Sequence, residues 1–560
     1  MKNKIKILTA AALSMTLATG CIDEIDPQDS YVTEEQALNV PGAFDNFVAA
    51  TTNALCGSFY FNTSTDEYNY PWDFGYTSFF LVRDVMGNDM TIEDSGSEWY
   101  STWYSDDTGL GSTYLDCQLP WRDYYKWIDN CNTVLKIAGD EPDEDKIVGS
   151  GIAHAMRAMF YMDLARMYAP KTYKTDKQSE TVPIVTEKTS LESSTSNPRA
   201  TNEQIWAFIL DDLNQAEVLL KDYQRPNKYT PDLSVVYGLK ARAYLTMEDF
   251  PNAEKYAQWA QDGYTALNAE DYLDQSTGFN TPNNAWLFAC QFKGTDPNIT
   301  DNDADSSWGS QMIIEVSDSE CGYSSNYVGP KRIDYHLYST IGKKDFRRKC
   351  WVDFAIDDLD SKDDIIKALE DYSDDPEGLY ITGYKVSKTQ SVGGMPIKFR
   401  PNGGVHDNQY TAFTVSVPLM RVEEMQLIEI EAAGAQNEAV GIEKLNKWVQ
   451  ERDPEYNFQD APNDEYYNSS TGKFRNEVWR QRRIELWGEG FATFDVKRLE
   501  KGIIRSYKNS NHPEDYRWNV QQTPSWMTFV IIQSETNNNS ACTNNPYIEH
   551  AAGADAEFSW

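Results

Sequence analysis

Residues 232–264, DLSVVYGLKARAYLTMEDFPNAEKYAQWAQDGY, read as two amphipathic helices joined at about Glu248–Pro251. Ala241, Tyr244, Phe250, Ala253, Ala257 and Ala260 recur at the spacing of a hairpin in which small residues sit at the helix crossing and rings fill the wedge. Such a hairpin cannot bury its own apolar face, so it needs neighbours of the same kind. The chain supplies them. Residues 147–169, IVGSGIAHAMRAMFYMDLARMYA, set Gly151, Ala155 and Ala158 among Met156, Phe160 and Leu164, and Pro170 stops the pattern. Residues 202–220 follow an N-cap at Thr201 or Asn202 and carry an inner stripe of Ile205, Ile209, Leu213, Ala216 and Leu220. Residues 121–138 place Trp121, Tyr125, Ile128, Leu135 and Ala138 at helical spacing, and 420–434, 438–452 and 475–489 are helical too. These segments predict a mainly α fold, a scaffold of stacked helix pairs over about 121–264 and 420–500.

The hairpin spacing is close to that of the tetratricopeptide repeat. Between the two halves of the scaffold, 265–415 lose periodicity and fill with Asn, Asp, Ser, Gly and aromatics. Short strands are expected near 286–292, 311–316 and 411–417, and TVPIVTEK (181–188) is a further extended run. An irregular stretch of this length inside one domain is usually functional, so 265–415 reads as a loop-rich ligand-binding insertion.

Acids outnumber bases by 87 to 50, a formal net charge of −37. That balance excludes nucleic acid and an anionic membrane surface as partners, since both need basic patches. Lys2, Lys4 and Lys6 precede an apolar stretch too short to span a bilayer, which ends at Ala18-Thr19-Gly20-Cys21. Small residues before a Cys resemble a bacterial lipoprotein signal, although the Leu usual at the third position before the Cys is replaced by Ala18, with Leu17 one step earlier. The expected organisation is a signal peptide over 1–20, a lipidated acidic tether over 21–45 starting at Cys21, and a single domain over 46–560. The other cysteines, Cys56, Cys117, Cys131, Cys290, Cys321, Cys350 and Cys542, form no C-x-x-C pair. Cys117 and Cys131 are near enough in sequence to bridge, but a core of this size needs no disulfide.

Patterns that would carry catalysis are missing. There is no P-loop, no G-x-S-x-G and no H-E-x-x-H, and His154, His336, His406, His512 and His550 show no ligand spacing. His154 reads as a packing residue. Asp301, Asp303 and Asp305 resemble the start of a calcium loop, but Ser306 stands at the sixth position and Met312 at the twelfth. They read as a solvated acidic loop, and no metal or cofactor is expected.

Several blocks, in order, resemble the SusD/RagB family of outer-membrane nutrient-binding lipoproteins. They are the segment ending at Cys21, HAMRAMFYMDLARMYA followed by VPIVTE, the helical hairpin, MRVEEMQLIEIEAAG, EKLNKWVQER, and VWRQRRIELWGEGFATFDVKRLEKG. The last is the most specific. Arg482, Arg483, Glu485, Leu486, Glu489, Gly490, Asp495 and Arg498 match the family pattern, while Gln481 stands where Glu is common and Ala492 where Arg is common. A weaker terminal block survives in FVIIQSE, with Ile532 in place of a Pro, and in Asn545-Pro546-Tyr547. On a helix Arg483 and Trp487 share one face, as do Glu485 and Glu489. We read these charges as an ion-pair network that locks helices together, with Gly488 and Gly490 allowing a turn or close approach. Catalytic carboxylates of a glycoside hydrolase at Glu485 and Glu489 are the rival reading.

The resemblance implies a cell-surface protein that captures a glycan and delivers it to a TonB-dependent outer-membrane transporter, without catalysis. The acids after Cys21, IDEIDPQDS, resemble the surface-export signal of Bacteroidetes lipoproteins, which implies the outer face of the outer membrane. The resemblance also implies aromatic platforms in the early loops and in the insertion. The early candidates are Trp99, Tyr100, Trp103 and Tyr104 in GSEWYSTWYSDD, with Arg83, Asn88 and Asp89 as polar partners. If 98–105 is helical, Trp99 and Trp103 project together. The insertion offers Trp286, Trp308, Tyr323 and Tyr327. A flat ring covers the C–H face of a sugar, while Asp, Asn and Arg take its hydroxyl rim. Oligopeptide capture is the alternative within the same family, and it would need backbone partners and side-chain pockets.

Overall fold

A methyl group on Gly151 would meet Leu220 Cγ at 2.7 Å and Leu219 Cβ at 3.0 Å. The small residues of 147–169 therefore do what their spacing predicted and let a neighbouring helix come close. The computed structural model describes residues 42–57, 70–92, 99–105, 109–316, 321–327, 329–387 and 391–560. The chain divides into Met1–Asn46 and Phe47–Trp560, and the scaffold and candidate site lie within the second unit. The expected signal peptide, Cys21 and residues 22–41 of the tether lie outside the described residues. Among the described residues no helix is long and apolar enough to cross a membrane.

The scaffold helices are α1 (Leu115–Ala138), α2 (Ile147–Tyr168), α3 (Asn202–Leu219), α4 (Leu233–Met247), α5 (Phe250–Ala260), α6 (Val422–Gln436), α7 (Glu438–Gln450) and α8 (Gly472–Glu485). Each of α1 to α7 packs on the next, and α8 packs on α6 and α7. Local chemistry sets their ends. Thr201 and Gln204 form a reciprocal capping box on α3. Asp232 caps α4, Glu248 ends it in the left-handed region at φ 58°, and Asp249 caps α5 with Pro251 in its first turn. Ala241, Ala253, Ala257 and Ala260 are fully buried at the hairpin crossing. Where α6 and α7 cross, a methyl group on Gly441 would run into the Gly434 backbone and meet Phe474 Cζ at 2.5 Å. α1 begins six residues before the predicted start and carries Pro120 in its second turn.

The insertion is more regular than its sequence implies. Trp286–Gln291 (β1) pairs antiparallel with Ser416–Arg421 (β2), with Cys290 opposite Val417. The second strand starts later than expected because Asn408 caps a helical turn, Gln409–Ala412, in its place. The strand expected over 311–316 is absent. Ser307 accepts from Ser310 N and opens a helix over Trp308–Met312, and residues 308–316 are buried on every side. A run buried on every side shows no period that would separate a strand from a helix. The helices Lys362–Leu369 and Pro376–Ser387 also belong to the insertion, and Ile314, Val352, Ile365, Leu369, Leu379, Val392 and Ile397 give it a core of its own. The extended run near 181 pairs, as Glu180–Pro183, with Arg199–Thr201.

Candidate functional site

The most specific sequence block builds the interior rather than a cleft. Glu485 accepts from Arg347 at 3.1 Å, Arg452 at 3.1 Å and Arg421 at 3.2 Å, and Glu489 accepts from Arg421 at 2.9 Å and Lys398 at 2.6 Å. Asp495 bridges Arg482 and Arg498, and Arg498 continues to Glu431. Burial alone would raise these carboxyls. For Glu485 the guanidiniums of Arg452, Arg421 and Arg347 outweigh it and hold the group well below the usual carboxylate range. Arg421 and Lys398 do the same for Glu489. A glycosidase acid needs a raised pKa and access to substrate. These two carboxylates have neither, so the hydrolase reading of them fails. Gly488 and Gly490 both adopt positive φ, and a Cβ on Gly490 would meet Phe80 at 2.6 Å and Arg83 at 2.8 Å.

The polar partners expected for a ligand belong to the same interior. Arg83 donates to Asp163 at 3.1 Å, in a cluster where Tyr76 and Tyr124 also donate to Asp163. Asn88 accepts from Ile504 N at 2.7 Å. The helix expected over 475–489 ends at Glu485, so Trp487 and Glu489 lie in the turn beyond it; Asp89 takes Arg483 Nε at 2.9 Å, and its carbonyl takes Trp487 Nε1 at 2.9 Å. Asp84, next to Arg83, accepts from Gly490 N and Ala492 N. Its carboxyl is pushed up to about 7 by burial against those two N–H groups.

Most of the named rings are core as well. Tyr100 and Trp103 are 0% and 1% exposed. Tyr100 shares a hydrogen bond with Ser78, and Tyr104, equally buried, meets His512 Nδ1 at 2.6 Å. Trp286 begins β1 in the interior, and Trp308 lies between Phe80 and Phe399. A ring with no exposed face offers nothing to a sugar, so these positions are corrected to packing residues. The side chain of Tyr327 lies outside the described residues. Trp99 and Trp103 do not project together, because the helix starts only at Ser101. Trp99 precedes it on a turn and stays half-exposed, while Trp103 turns inward onto Trp72.

Two predicted rings, Trp99 and Tyr323, remain at the surface, and they meet edge to face at 6.2 Å. Tyr70 also meets Trp99 at 6.2 Å, and it stacks on buried Trp72 at 4.7 Å with ring planes 3° apart. Tyr70 and Trp72 were not singled out from the sequence, although NYPWDFGY carries a visible aromatic signal.

One segment of the insertion holds both ends of this row. Ser306 Oγ donates to Tyr70 O at 3.2 Å, Asp305 accepts from Gly322 N at 3.2 Å, and Ser310 Oγ accepts from Tyr323 N at 2.9 Å. Just before it, Asn302, Asp303 and Ala304 all adopt positive φ, an unfavourable run for non-glycine residues that aims Asp305 and Ser306. Burial pushes the Asp305 carboxyl up to about 6. Asp301, Asp303 and Asp305 take separate partners, Thr300, Tyr410 and Gly322. Among the described residues no group of three His, Cys, Asp or Glu is placed to hold a metal ion. Beside Tyr323, Asn326 accepts from Lys385 at 3.1 Å, and Tyr410, 45% exposed, donates to Asp303 at 2.9 Å. His154 pairs with Asp212 at 2.6 Å within the scaffold. The described cysteines are all free, Cys117 and Cys131 included.

Residues 243–547 match the model of the SusD family, and 77–245 match a related model described as starch-binding and associating with the outer membrane. No curated protein sequence matches the chain. Among solved structures, it is similar to a SusD-like carbohydrate binding protein from Bacteroides vulgatus, with 21% identity and a TM-score of 0.67 over 90% of this chain and 97% of that one. A SusD superfamily protein from Bacteroides thetaiotaomicron superposes with a TM-score of 0.63 at 16% identity over 92% and 99%. A laminarin binding SusD-like protein does so with 0.57 at 18% identity over 92% and 100%. With the family pattern matched over more than half its length, and the same architecture throughout, this chain belongs to the SusD family.

Proposed function

We propose that this protein binds glycan at the cell surface, holds an oligosaccharide on the row Tyr70–Trp99–Tyr323 and passes it, uncleaved, to a TonB-dependent outer-membrane transporter. The observation that carries the reading is the half-exposed ring row itself, backed by Trp72 and fastened at both ends by residues 305–310. A pyranose offers axial C–H bonds on one face and hydroxyls around its rim. Rings cover the first, and two polar pairs, Asn326 with Lys385 of the helix Pro376–Ser387 and Asp303 with Tyr410, are offered for the second. Stacking of this kind moves no proton and activates no water, so it retains a ligand without breaking it.

Family membership and the laminarin binding neighbour favour a sugar over a peptide. So does the lack, among the described residues, of an unpaired strand edge in the row, which an extended peptide would use. Lipidation at Cys21 would anchor the chain in the outer membrane with its acidic tether facing outward.

Affinity electrophoresis and calorimetry against a polysaccharide panel including starch and laminarin test the reading. At least one polymer is retarded, and Trp99→Ala and Tyr323→Ala each weaken that retardation. Binding untouched by both variants refutes the site. Release of new reducing ends, or selective binding of oligopeptides, refutes the function.

A further inference from the structure

Cys56 closes the 3₁₀ turn Ala54–Cys56, and Cys290 lies in β1 against which that turn packs. Cys290 is the side chain that, after burial itself, does most to raise the Cys56 thiol. Both cysteines line one cavity of about 600 Å³, together with Asn53, Tyr229, Gln291 and Asp296, a volume that admits a small molecule. The backbone on each side is held. Tyr76 N donates to Leu55 O at 2.8 Å, a Cβ on Gly75 would meet Cys56 Cα at 3.2 Å, and the β1–β2 ladder fixes Cys290. Two other thiols face backbone, Cys117 donating to Val530 O at 3.1 Å and Cys542 to Thr543 O at 3.5 Å.

We propose that Cys56 and Cys290 form an oxidation site, a thiol pair that a small disulfide reaching the cavity converts into a cross-link between the N-terminal turn and β1. Cys290, as thiolate, attacks one sulfur of the incoming disulfide. That S–S bond breaks, a mixed disulfide forms on Cys290, and one small thiolate leaves and takes up a proton. Cys56 then loses its proton and attacks the Cys290 sulfur, expelling the second small thiol. Two protein thiols are oxidised and one disulfide is reduced to two thiols. Burial, and then the neighbouring Cys290, push the Cys56 thiol well up, so the closing step, which needs the Cys56 thiolate, is faster at alkaline pH.

The test uses the full chain, reduced, freed of reductant and exposed to oxidised glutathione. Alkylation under denaturing conditions then counts free thiols, and non-reducing peptide mapping locates any bridge. Oxidation removes two alkylatable thiols, yields one peptide pair containing Cys56 and Cys290, and raises Tm by several degrees until reductant is restored. Cys56→Ser and Cys290→Ser each abolish the peptide pair and the Tm response. Unchanged thiol counts, a bridge between other cysteines, or arrest at a glutathione adduct on either cysteine would each overturn the proposal. Should a serine variant fail to fold, the wild-type peptide map alone decides.

Discussion

Glu485→Gln separates a structural role for the SusD-type charge block from a catalytic one. Glu485 is fully buried and accepts from three guanidiniums, Arg347, Arg421 and Arg452, at 3.1–3.2 Å. Glutamine keeps the volume but removes the charge that compensates them. Losing one member of a buried ion pair costs about 3–5 kcal/mol, because the partner charge stays desolvated. Glu489 and Glu423 remain beside Arg421, so the lower part of that range is expected. An unfolding entropy of about 2.1 cal/mol/K per residue over roughly 500 residues makes this a fall in Tm of about 3–4 °C. Scanning calorimetry beside Glu438→Gln, an exposed control within about 0.5 kcal/mol of wild type, reads the difference. The pH dependence has a definite sign. The folded pKa of Glu485 lies below the ordinary glutamate value of 4.5, so its contribution is full above that value and is lost only as pH falls through the depressed folded pKa. The Tm gap between wild type and variant therefore stays constant from pH 7 to about pH 5.5. A variant that melts with wild type would refute the reasoning. So would one that folds normally while losing a hydrolytic activity.

Four further outcomes follow from the same geometry. Trp99→Ala and Tyr323→Ala lower polysaccharide affinity by about 5–30-fold, or ~1–2 kcal/mol each, with little change in Tm, as calorimetric titration will show. Trp308→Ala instead leaves a cavity between Phe80 and Phe399 and costs about 3–5 kcal/mol of stability; equal stability for the Trp308 and Trp99 variants would contradict the burial difference. Gly441→Ala forces α7 off the Gly434 backbone and destabilises by about 1–3 kcal/mol in urea unfolding, against the gain that alanine normally brings inside a helix. Asp123 is buried with neither carboxylate oxygen hydrogen-bonded among the described residues, and burial, reinforced by Asp73, raises its pKa well above 3.8. A raised folded pKa means stability that is present below about pH 3.8 and lost as pH rises, so Asp123→Asn gains about 1–3 kcal/mol at pH 7 and nothing near pH 3. A Tm difference independent of pH would contradict that assignment.

Much of the scaffold was legible because helix information is local. The small residues of 147–169, the hairpin at 232–264 and the cap at Thr201 report contacts and turns within a few positions, and the structure has them as read. The charge block at 482–498 was legible in kind, since so many charges on so short a helical stretch demand partners. The insertion was not. QMIIEV looks the same whether it enters a strand or a buried helical turn, and what decided it was the hydroxyl of Ser307.

Sequence by itself determined that this chain builds stacked helix pairs, that it carries net negative charge, and that rings are gathered near residue 100 and in the insertion. Only the tertiary structure decided which of those rings face water and which polar residues are spoken for. Trp99 and Trp103 stand four apart in one run, yet one joins Tyr70 and Tyr323 at the surface and the other packs on Trp72. Arg83, Asn88 and Asp89 have the polarity of a binding loop, and their partners are Asp163, Ile504 and Arg483. The physical reason is that exposure and pairing depend on what packs against a residue, and here those neighbours lie 80 to more than 400 residues away along the chain.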